Sequence, residues 1–143
     1  MHNTAIEYLY RDASNYKSWN YAVLPGTVDE NQIEEIFRCC DCGEFFIPEQ
    51  VGLPADRLDE YDRSEDDHLW CELLSITATE EEPTVDVAAQ TVYRRFLNAK
   101  DRWDPLRLLY CGGYTFDDAN LRTAKESRKA SPSRKADTKG IQR

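Results

Sequence analysis

The segment TAIEYLYR, residues 4–11, alternates side chains with the two-residue period of a β-strand. Ile6, Tyr8 and Tyr10 fall on one face of such a strand, whereas Glu7 and Arg11 fall on the other. One largely apolar face beside one largely polar face is typical of a strand that packs on a core from one side. The segment therefore predicts an amphipathic strand near the start of the domain.

A second alternating segment follows the turn-forming residues at 12–15 and carries Trp19 and Tyr21. Two alternating segments separated by a turn predict an antiparallel hairpin. We expect one aromatic face on it, formed by Tyr8, Tyr10, Trp19 and Tyr21. Packing beneath helices is the favoured interpretation of this face, and an exposed face would instead be a protein-binding hot spot.

The segment TVDENQIEEIFRCC, residues 27–40, has the pattern of an amphipathic helix. Thr27 and Glu30 stand three apart, the spacing of a capping box. An apolar stripe then repeats at helical spacing through Ile33, Ile36, Phe37 and Cys40. Gly43 is suited to the left-handed position that follows a helix.

The remaining elements are a strand, a second helix and an apolar segment. HLWCELLSIT, residues 68–77, is apolar on both faces and predicts a central strand. A helix is expected from Thr84 until Asp104-Pro105 ends it. LRLLYCGGYTF, residues 106–116, predicts either a hairpin with a Gly-Gly turn or a loosely packed apolar segment. The order β-β-α-β-α, with or without a final hairpin, predicts an α+β domain whose antiparallel sheet carries two helices on one face.

The charge is divided between an acidic body and a basic tail. Residues 121–143 contain eight Lys and Arg against two Asp and Glu, a net charge of +6. Subtracting this from the chain's −9 leaves −15 for residues 1–120, which we interpret as a single domain. The tail lacks an apolar period, so we expect residues 121–143 to be disordered. Deleting residues 127–143 is accordingly expected to leave the melting temperature nearly unchanged.

The composition also limits location and partners. No apolar run reaches membrane-spanning length and no secretory signal is visible, so we expect a cytoplasmic protein with no membrane partner. An acidic body repels nucleic-acid phosphates, which makes direct nucleic-acid binding by the body an unfavoured interpretation. It favours a protein partner with a basic surface, held by carboxylates such as Glu44 and Asp66.

The cysteines raise the alternative of a small zinc-stabilised module. Cys39-x-x-Cys42 and His68-x-x-Cys71 together have the ligand types and spacing of a tetrahedral zinc site. A helix end carrying free thiols is the favoured interpretation, because the helical stripe runs through Cys40. His68 and Cys71 also stand an odd number of positions apart in a predicted strand, which would direct them to opposite faces. No cofactor is therefore expected, with zinc as the alternative.

A third hypothesis is a hydrolase-type enzyme. His68 lies near Asp67 and Glu72, and a carboxylate can orient an imidazole for general-base catalysis. The sequence contains no nucleophile elbow, zinc-protease motif or phosphate-binding loop beside them. A structural histidine at the start of a strand is the favoured interpretation of His68.

Three segments resemble a family of small uncharacterised bacterial proteins often found in plasmids, phages and other mobile elements. The shared pattern is IEYLYRDASNYK, then GEFFIPEQVGLP, then DDHLW. The matching residues are Tyr8, Tyr10, Arg11, Asp12, Asn15, Tyr16, Gly43, Glu44, Phe45, Phe46, Pro48, Glu49, Gly52, Pro54, Asp67, His68, Trp70 and Glu72. The resemblance covers roughly residues 5–75 and implies a fold and a genetic setting, but no activity.

These observations favour a non-enzymatic, acidic protein-binding module. In the setting that the resemblance implies, it would be a mobile-element accessory or anti-defence factor that imitates the charge of DNA.

Overall fold

The computed structural model of the chain describes residues 2–12, 14–57 and 68–129. The strands in this part of the chain are β1 (Asn3–Arg11), β2 (Lys17–Pro25), β3 (Phe45–Phe46) and β4 (Cys71–Thr79). The helices are α1 (Glu30–Cys39), α2 (Ala89–Ala99), α3 (Pro105–Tyr110) and α4 (Ala124–Arg128), and one-turn 3₁₀ helices span Pro48–Val51 and Asp118–Asn120. The predicted α+β class is confirmed.

The strands form one antiparallel sheet in the order β2-β1-β4-β3. The first predicted strand, β1, is thus an inner strand that pairs along its length with β2 on one side and β4 on the other. The predicted hairpin of β1 and β2 is present. Between β1 and β4, Glu7 pairs with Ser75 but Tyr8 pairs with Leu73. Leu74 of β4 is therefore the extra residue of a β-bulge.

One side of the sheet, called the inner face, carries Ile6, Tyr8 and Tyr10 and packs against α1 and α2 in the main hydrophobic core. The centre of this core is aromatic. Phe46 lies 5.4 Å from Phe96 and 6.3 Å from Trp103 between ring centroids, with edge-on or tilted geometry. Contacts of this kind join β3, α2 and the segment after α2 to the sheet.

Helix α1 follows its predicted stripe but begins later than the expected capping box. Asp29 is the N-cap, and its side chain and that of Gln32 bond each other's backbone N–H groups at 2.8 and 3.0 Å. The Thr27–Glu30 box is therefore wrong, because Asp29 and Gln32 satisfy the same spacing two residues further on. Ile36 and Cys40 of the stripe are buried, as predicted.

The predicted final hairpin is wrong, because residues 105–110 form α3 instead. Pro105 stops α2 from continuing but is itself well suited to the first turn of a new helix. Gly112 and Gly113 both have positive φ values, of 80° and 131°, and follow the helix as a turn rather than joining two strands.

The expected disorder from residue 121 onward is also wrong for its first part. Thr123 and Glu126 form a capping box that starts α4. Ser127 is 1% exposed, and its hydroxyl lies 3.7 Å from the Cys39 thiol. Arg128 donates to the largely buried carboxylate of Glu35 at 2.7 Å. Residues 130–143, the rest of the predicted tail, lie outside the described residues.

A buried ion pair holds the segment after β3 against the start of β4. The Arg57 guanidinium donates to both carboxylate oxygens of Glu49 at 2.6 and 2.7 Å, and to the carbonyl oxygen of Leu69 at 3.0 Å. The Arg57 side chain is only 8% exposed. Burial acts to lower the pKa of Arg57, but the hydrogen bonds and charge of Glu49 outweigh it and leave that pKa raised. The pair therefore fixes residue 57 beside residue 69.

Replacing Arg57 by Ala should destabilise the fold by about 3–5 kcal/mol, because it strands the Glu49 carboxylate and the Leu69 carbonyl without their donor. Arg11→Ala is the matched control, since Arg11 pairs with Glu72 on a more exposed surface and its loss should destabilise the fold far less. Urea unfolding of the two variants measures both values. Equal losses would show that the Arg57 pair is no more important than a surface pair.

Two truncations test the contribution of α4. A chain ending at Leu121 should melt about 3–8 °C below the full chain, because it loses Ser127 and the Arg128–Glu35 pair. A chain ending at Lys129 should melt within about 1 °C of the full chain, because it keeps Ser127 and Arg128. The deletion of residues 127–143 that the sequence predicts to be neutral removes both residues, so we no longer expect it to be neutral. Thermal melts in one buffer compare the three chains. If the two truncated chains melt together, α4 does not stabilise the domain.

Candidate protein-binding surface

The side of the sheet opposite the inner face, called the outer face, is partly open. Antiparallel register places Trp19 of β2 directly beside Leu9 of β1, and Leu9 beside Glu72 of β4. One row further along, Tyr21 lies beside Glu7. Because directly paired residues point to the same side of a sheet, aromatic and acidic side chains share this face, with the basic pair of Arg11 and Lys17 at one end of it.

The four aromatic residues predicted to share one face are divided between two. Tyr8 and Tyr10 lie on the inner face and are each 1% exposed, whereas Trp19 and Tyr21 lie on the outer face and are 62% and 53% exposed. The prediction of a single aromatic face is therefore wrong. The register pairs Tyr8 with Asn20, an even-numbered residue of β2, so the odd-numbered aromatics point the other way.

The buried tyrosines are structural residues. The Tyr8 hydroxyl donates to the carbonyl oxygen of Pro54 at 2.5 Å, and that of Tyr10 donates to the carbonyl oxygen of His68 at 2.9 Å. Burial is the main cause that raises the pKa of Tyr8 far above its ordinary value. The binding role predicted for these two residues does not fit their burial.

The segment at 80–85, between β4 and α2, covers the other half of the outer face. The Asn3 side-chain amide donates to the carbonyl oxygen of Glu81 at 2.8 Å. The backbone N–H of Thr84 donates to the carbonyl oxygen of Val23 at 2.8 Å. Ala5 and Val23, which also lie on the outer face, are only 4% and 1% exposed. Among the described residues, the crossing segment leaves Trp19 and Tyr21 exposed, whereas Leu9 beside Trp19 is only 2% exposed.

Carboxylates surround the exposed aromatic residues. The Tyr21 hydroxyl donates to Glu81 at 2.9 Å, and this hydrogen bond is the main cause of the raised pKa of Tyr21. Glu7, paired with Tyr21, accepts a hydrogen bond from Ser75 at 3.4 Å. Glu72 accepts from Arg11 at 2.9 Å, and this bond raises the pKa of Arg11. The surface is therefore both aromatic and acidic.

Sequence reasoning missed two contributors to this surface. Leu74, 38% exposed, is brought there by the bulge in β4, which no sequence pattern marked. Glu81 lies between the predicted strand at 68–77 and the predicted second helix, and it reaches Tyr21 because the chain crosses the sheet there. Both depend on contacts between residues distant in the chain.

The other predicted binding carboxylates are less central. Glu44 is exposed at the turn before β3, and its carbonyl oxygen accepts from the Leu73 N–H at 2.8 Å. Asp66 lies outside the described residues.

The acidic charge is concentrated early in the chain, because residues 1–88 hold 21 Asp and Glu against 5 Lys and Arg, a net −16.

The helical end of the domain has the opposite charge. Residues 89–129 hold nine Lys and Arg against five Asp and Glu, a net +4, of which residues 121–129 contribute +3. A cleft of about 520 Å³ lies there, lined by Arg102 and Arg107 but also by Asp104 and Asp117. Charges of both signs in one cleft do not define a ligand class.

The cysteines confirm the predicted helix end at FRCC. Helix α1 ends at Cys39, and Cys40 is its C-cap residue. Cys39, Cys40 and Cys71 are buried, whereas Cys42 is exposed. Burial raises the pKa of Cys39 to about 11 and that of Cys71 to about 12, so both are protonated thiols near neutral pH.

The four predicted zinc ligands are not brought together. The Cys39 thiol lies against Ser127, and Cys71 is fully buried in the sheet beside Tyr10. Across the described ranges, no three His, Cys, Asp or Glu side chains are grouped as metal ligands. The expectation that His68 and Cys71 face opposite sides is nevertheless wrong, because β4 begins only at Cys71 and the His68 ring also contacts Tyr10.

The residues predicted for a hydrolase are also divided. The His68 ring lies 5.4 Å from the Tyr10 ring on the inner side, and its Nδ1 accepts the Trp70 backbone N–H at 3.1 Å. Glu72 lies on the outer face with Arg11, and Asp67 falls outside the described residues. His68 and Glu72 therefore do not form an acid–base pair, and His68 has the contacts of a structural residue.

Comparison of the chain with protein-family models, with curated proteins and with solved structures finds no match. The resemblance to mobile-element proteins therefore stays a prediction. In the part of the chain that the structure describes, no helix has the length and apolar character needed to cross a membrane.

Thiol reactivity tests the assignment of the cysteines. At pH 8, Cys42 and Cys111 should react rapidly with a chromogenic disulfide, because both are exposed. Cys39, Cys40 and Cys71 should react only after unfolding, since burial raises the pKa of each. The expected titration is two fast thiols in the native protein and five in denaturant. A third fast thiol would contradict this assignment.

Proposed function

We propose that the chain is a non-enzymatic protein-binding module that holds a basic segment of a partner protein on its outer face. The observation that carries the proposal is the exposure of Trp19 and Tyr21 on the outer face, where no helix of the described residues packs over them. Tryptophan and tyrosine are enriched among the residues that dominate binding energy at protein interfaces.

Charge supports a basic partner. An arginine guanidinium can stack on an aromatic ring, a contact of about 0.5–2 kcal/mol depending on its exposure. At this surface the same guanidinium would also meet the carboxylate of Glu7 or Glu81 beside Tyr21. Carboxylates next to aromatic rings favour arginine-rich or lysine-rich segments over acidic or purely apolar ones.

The partner class can be taken one step further. The net charge of −16 over residues 1–88, together with the resemblance to mobile-element proteins, supports an accessory or anti-defence factor that imitates DNA charge in the cytoplasm. Its target would be a basic, nucleic-acid-binding protein. This form of the proposal requires that duplex DNA and the chain compete for the same basic protein and that added salt weakens both complexes.

Replacing both Trp19 and Tyr21 by Ala should weaken binding of a basic peptide at least about tenfold, because the two rings supply most of the contact. The probe is an acetylated, amidated seven-residue peptide in which arginine and valine alternate, starting and ending with arginine. Isothermal titration at low salt measures the dissociation constants, and thermal melts check that each variant is folded.

The matched control is the double substitution of Leu106 and Tyr110 by Ala. These residues of α3 are 58% and 79% exposed, so the control removes similar apolar surface far from the acidic face. It should change the affinity less than about twofold. Similar losses in the two double variants, or no binding of the peptide by the native chain, would contradict the proposal.

A further inference from the structure

Strand β2 is an edge strand, and its outward backbone groups can be identified from its hydrogen bonds. Both backbone groups of Val23 point away from β1 and bond to Thr84. The Val23 N–H donates to Thr84 Oγ1 at 2.9 Å, and the Val23 carbonyl oxygen accepts from the Thr84 N–H at 2.8 Å. In an antiparallel pair, outward-facing groups recur at every second residue. The register of β1 and β2 has no irregularity, so the N–H and carbonyl groups of Trp19 and Tyr21 also point outward.

The chain already attaches one of its own segments to this edge, but only at one end. Residues 84–85 bond to Val23, and the Val85 N–H is a second donor to the same carbonyl oxygen at 3.3 Å. Among the described residues, no backbone hydrogen bond is made to the outward groups of Trp19 or Tyr21. Within the described ranges, the four backbone donors and acceptors of these two residues are thus open to a further strand.

We propose that the basic partner segment adds to the β2 edge as an extended strand, alongside Lys17 to Tyr21. This inference rests on the proposed function and specifies its geometry. The outward backbone groups would supply main-chain hydrogen bonds, and side-chain recognition would come from alternate residues of the segment.

The side-chain pattern of that segment follows from the sheet. Residues directly opposite Trp19 and Tyr21 would project over the outer face, where the rings and the carboxylate of Glu81 favour arginine or lysine. The intervening residues would project toward the other side of the edge, where Asn20 holds the backbone of Asp56 with hydrogen bonds of 2.8 and 3.2 Å. A basic residue at every second position therefore fits the surface.

Charge argues for a different, basic polypeptide rather than a second copy of this chain. Pairing two β2 edges would bring together two surfaces that each carry Glu7 and Glu81, from segments of net charge −16.

Backbone methylation of the alternating arginine–valine peptide tests this geometry. One version carries N-methyl groups on its arginines and the other on its valines, so both keep the same side chains, charge and number of methyl groups. In antiparallel addition, the arginine N–H groups face β2 and the valine N–H groups face away. Arginine methylation should weaken binding at least about tenfold, and valine methylation less than about threefold.

Amide hydrogen exchange gives an independent readout. The unmethylated peptide should slow exchange at Trp19 and Tyr21 at least about tenfold. It should leave Ser18 and Asn20 unchanged, because their N–H groups already face β1.

The outcomes separate the two proposals. Loss of affinity confined to one methylated peptide supports strand addition, with the valine version indicating a parallel strand. Equal affinities of all three peptides, or equal loss in both methylated ones, would overturn strand addition and leave binding to the outer face intact. If the unmethylated peptide does not bind, the proposed function fails and this inference fails with it.

Discussion

The domain is organised around β1, whose backbone is bonded along its length to β2 on one side and to β4 on the other. Six of its nine residues are buried, and they come from both faces of the strand. Because the side-chain period of a strand is two, any slip of one residue would move Tyr8 and Tyr10 out of the core. The positions of α1 and α2 on the inner face, and of Trp19 and Tyr21 on the outer face, follow from this one register.

Charged residues inside an acidic protein need partners, and the described structure provides them. Buried or partly buried ion pairs join distant segments, namely Glu49–Arg57, Asp118–Arg95 and Glu35–Arg128. Arg57 and Arg128 each satisfy a largely buried carboxylate that would be costly to bury alone, whereas Asp118 is more exposed. Arg95 also donates to the Val51 carbonyl oxygen and lies 3.7 Å from the centre of the Phe116 ring. These pairs attach the segments after β3 and after α2, which have little regular structure of their own.

The open half of the outer face is a consequence of chain topology. After β4 the chain crosses the end of the sheet to reach α2 on the inner face, and in crossing it buries Ala5 and Val23. The crossing leaves the Trp19 and Tyr21 rings exposed, and it brings Glu81 to the Tyr21 hydroxyl. A single connection therefore delimits the exposed aromatic surface, supplies one of its carboxylates and occupies one end of the β2 edge.

The division of charge gives this surface its character. The strands and α1 belong to the strongly acidic first 88 residues, whereas α2, α3 and α4 belong to a segment of net positive charge. Because α1 packs beside α2, the acidic and basic segments adjoin on the helical side of the sheet. At physiological ionic strength, exposed charges act over only about 8 Å, so local carboxylates matter more than the net charge of a segment.

The sequence by itself determined the strands and the first helix, because alternation and helical spacing are local patterns. TAIEYLYR predicted the strand whose Ile6, Tyr8 and Tyr10 share the core face, and the stripe ending at Cys40 predicted α1. Only the tertiary structure decided which face Trp19 and Tyr21 occupy, since that depends on the register set by the hairpin turn. Tertiary contacts also decided that Glu35 is buried, that α4 docks through Ser127 and that His68 and Glu72 are separated. No local pattern records such contacts, because each joins residues that are far apart in the chain or that a turn directs to different sides of the sheet.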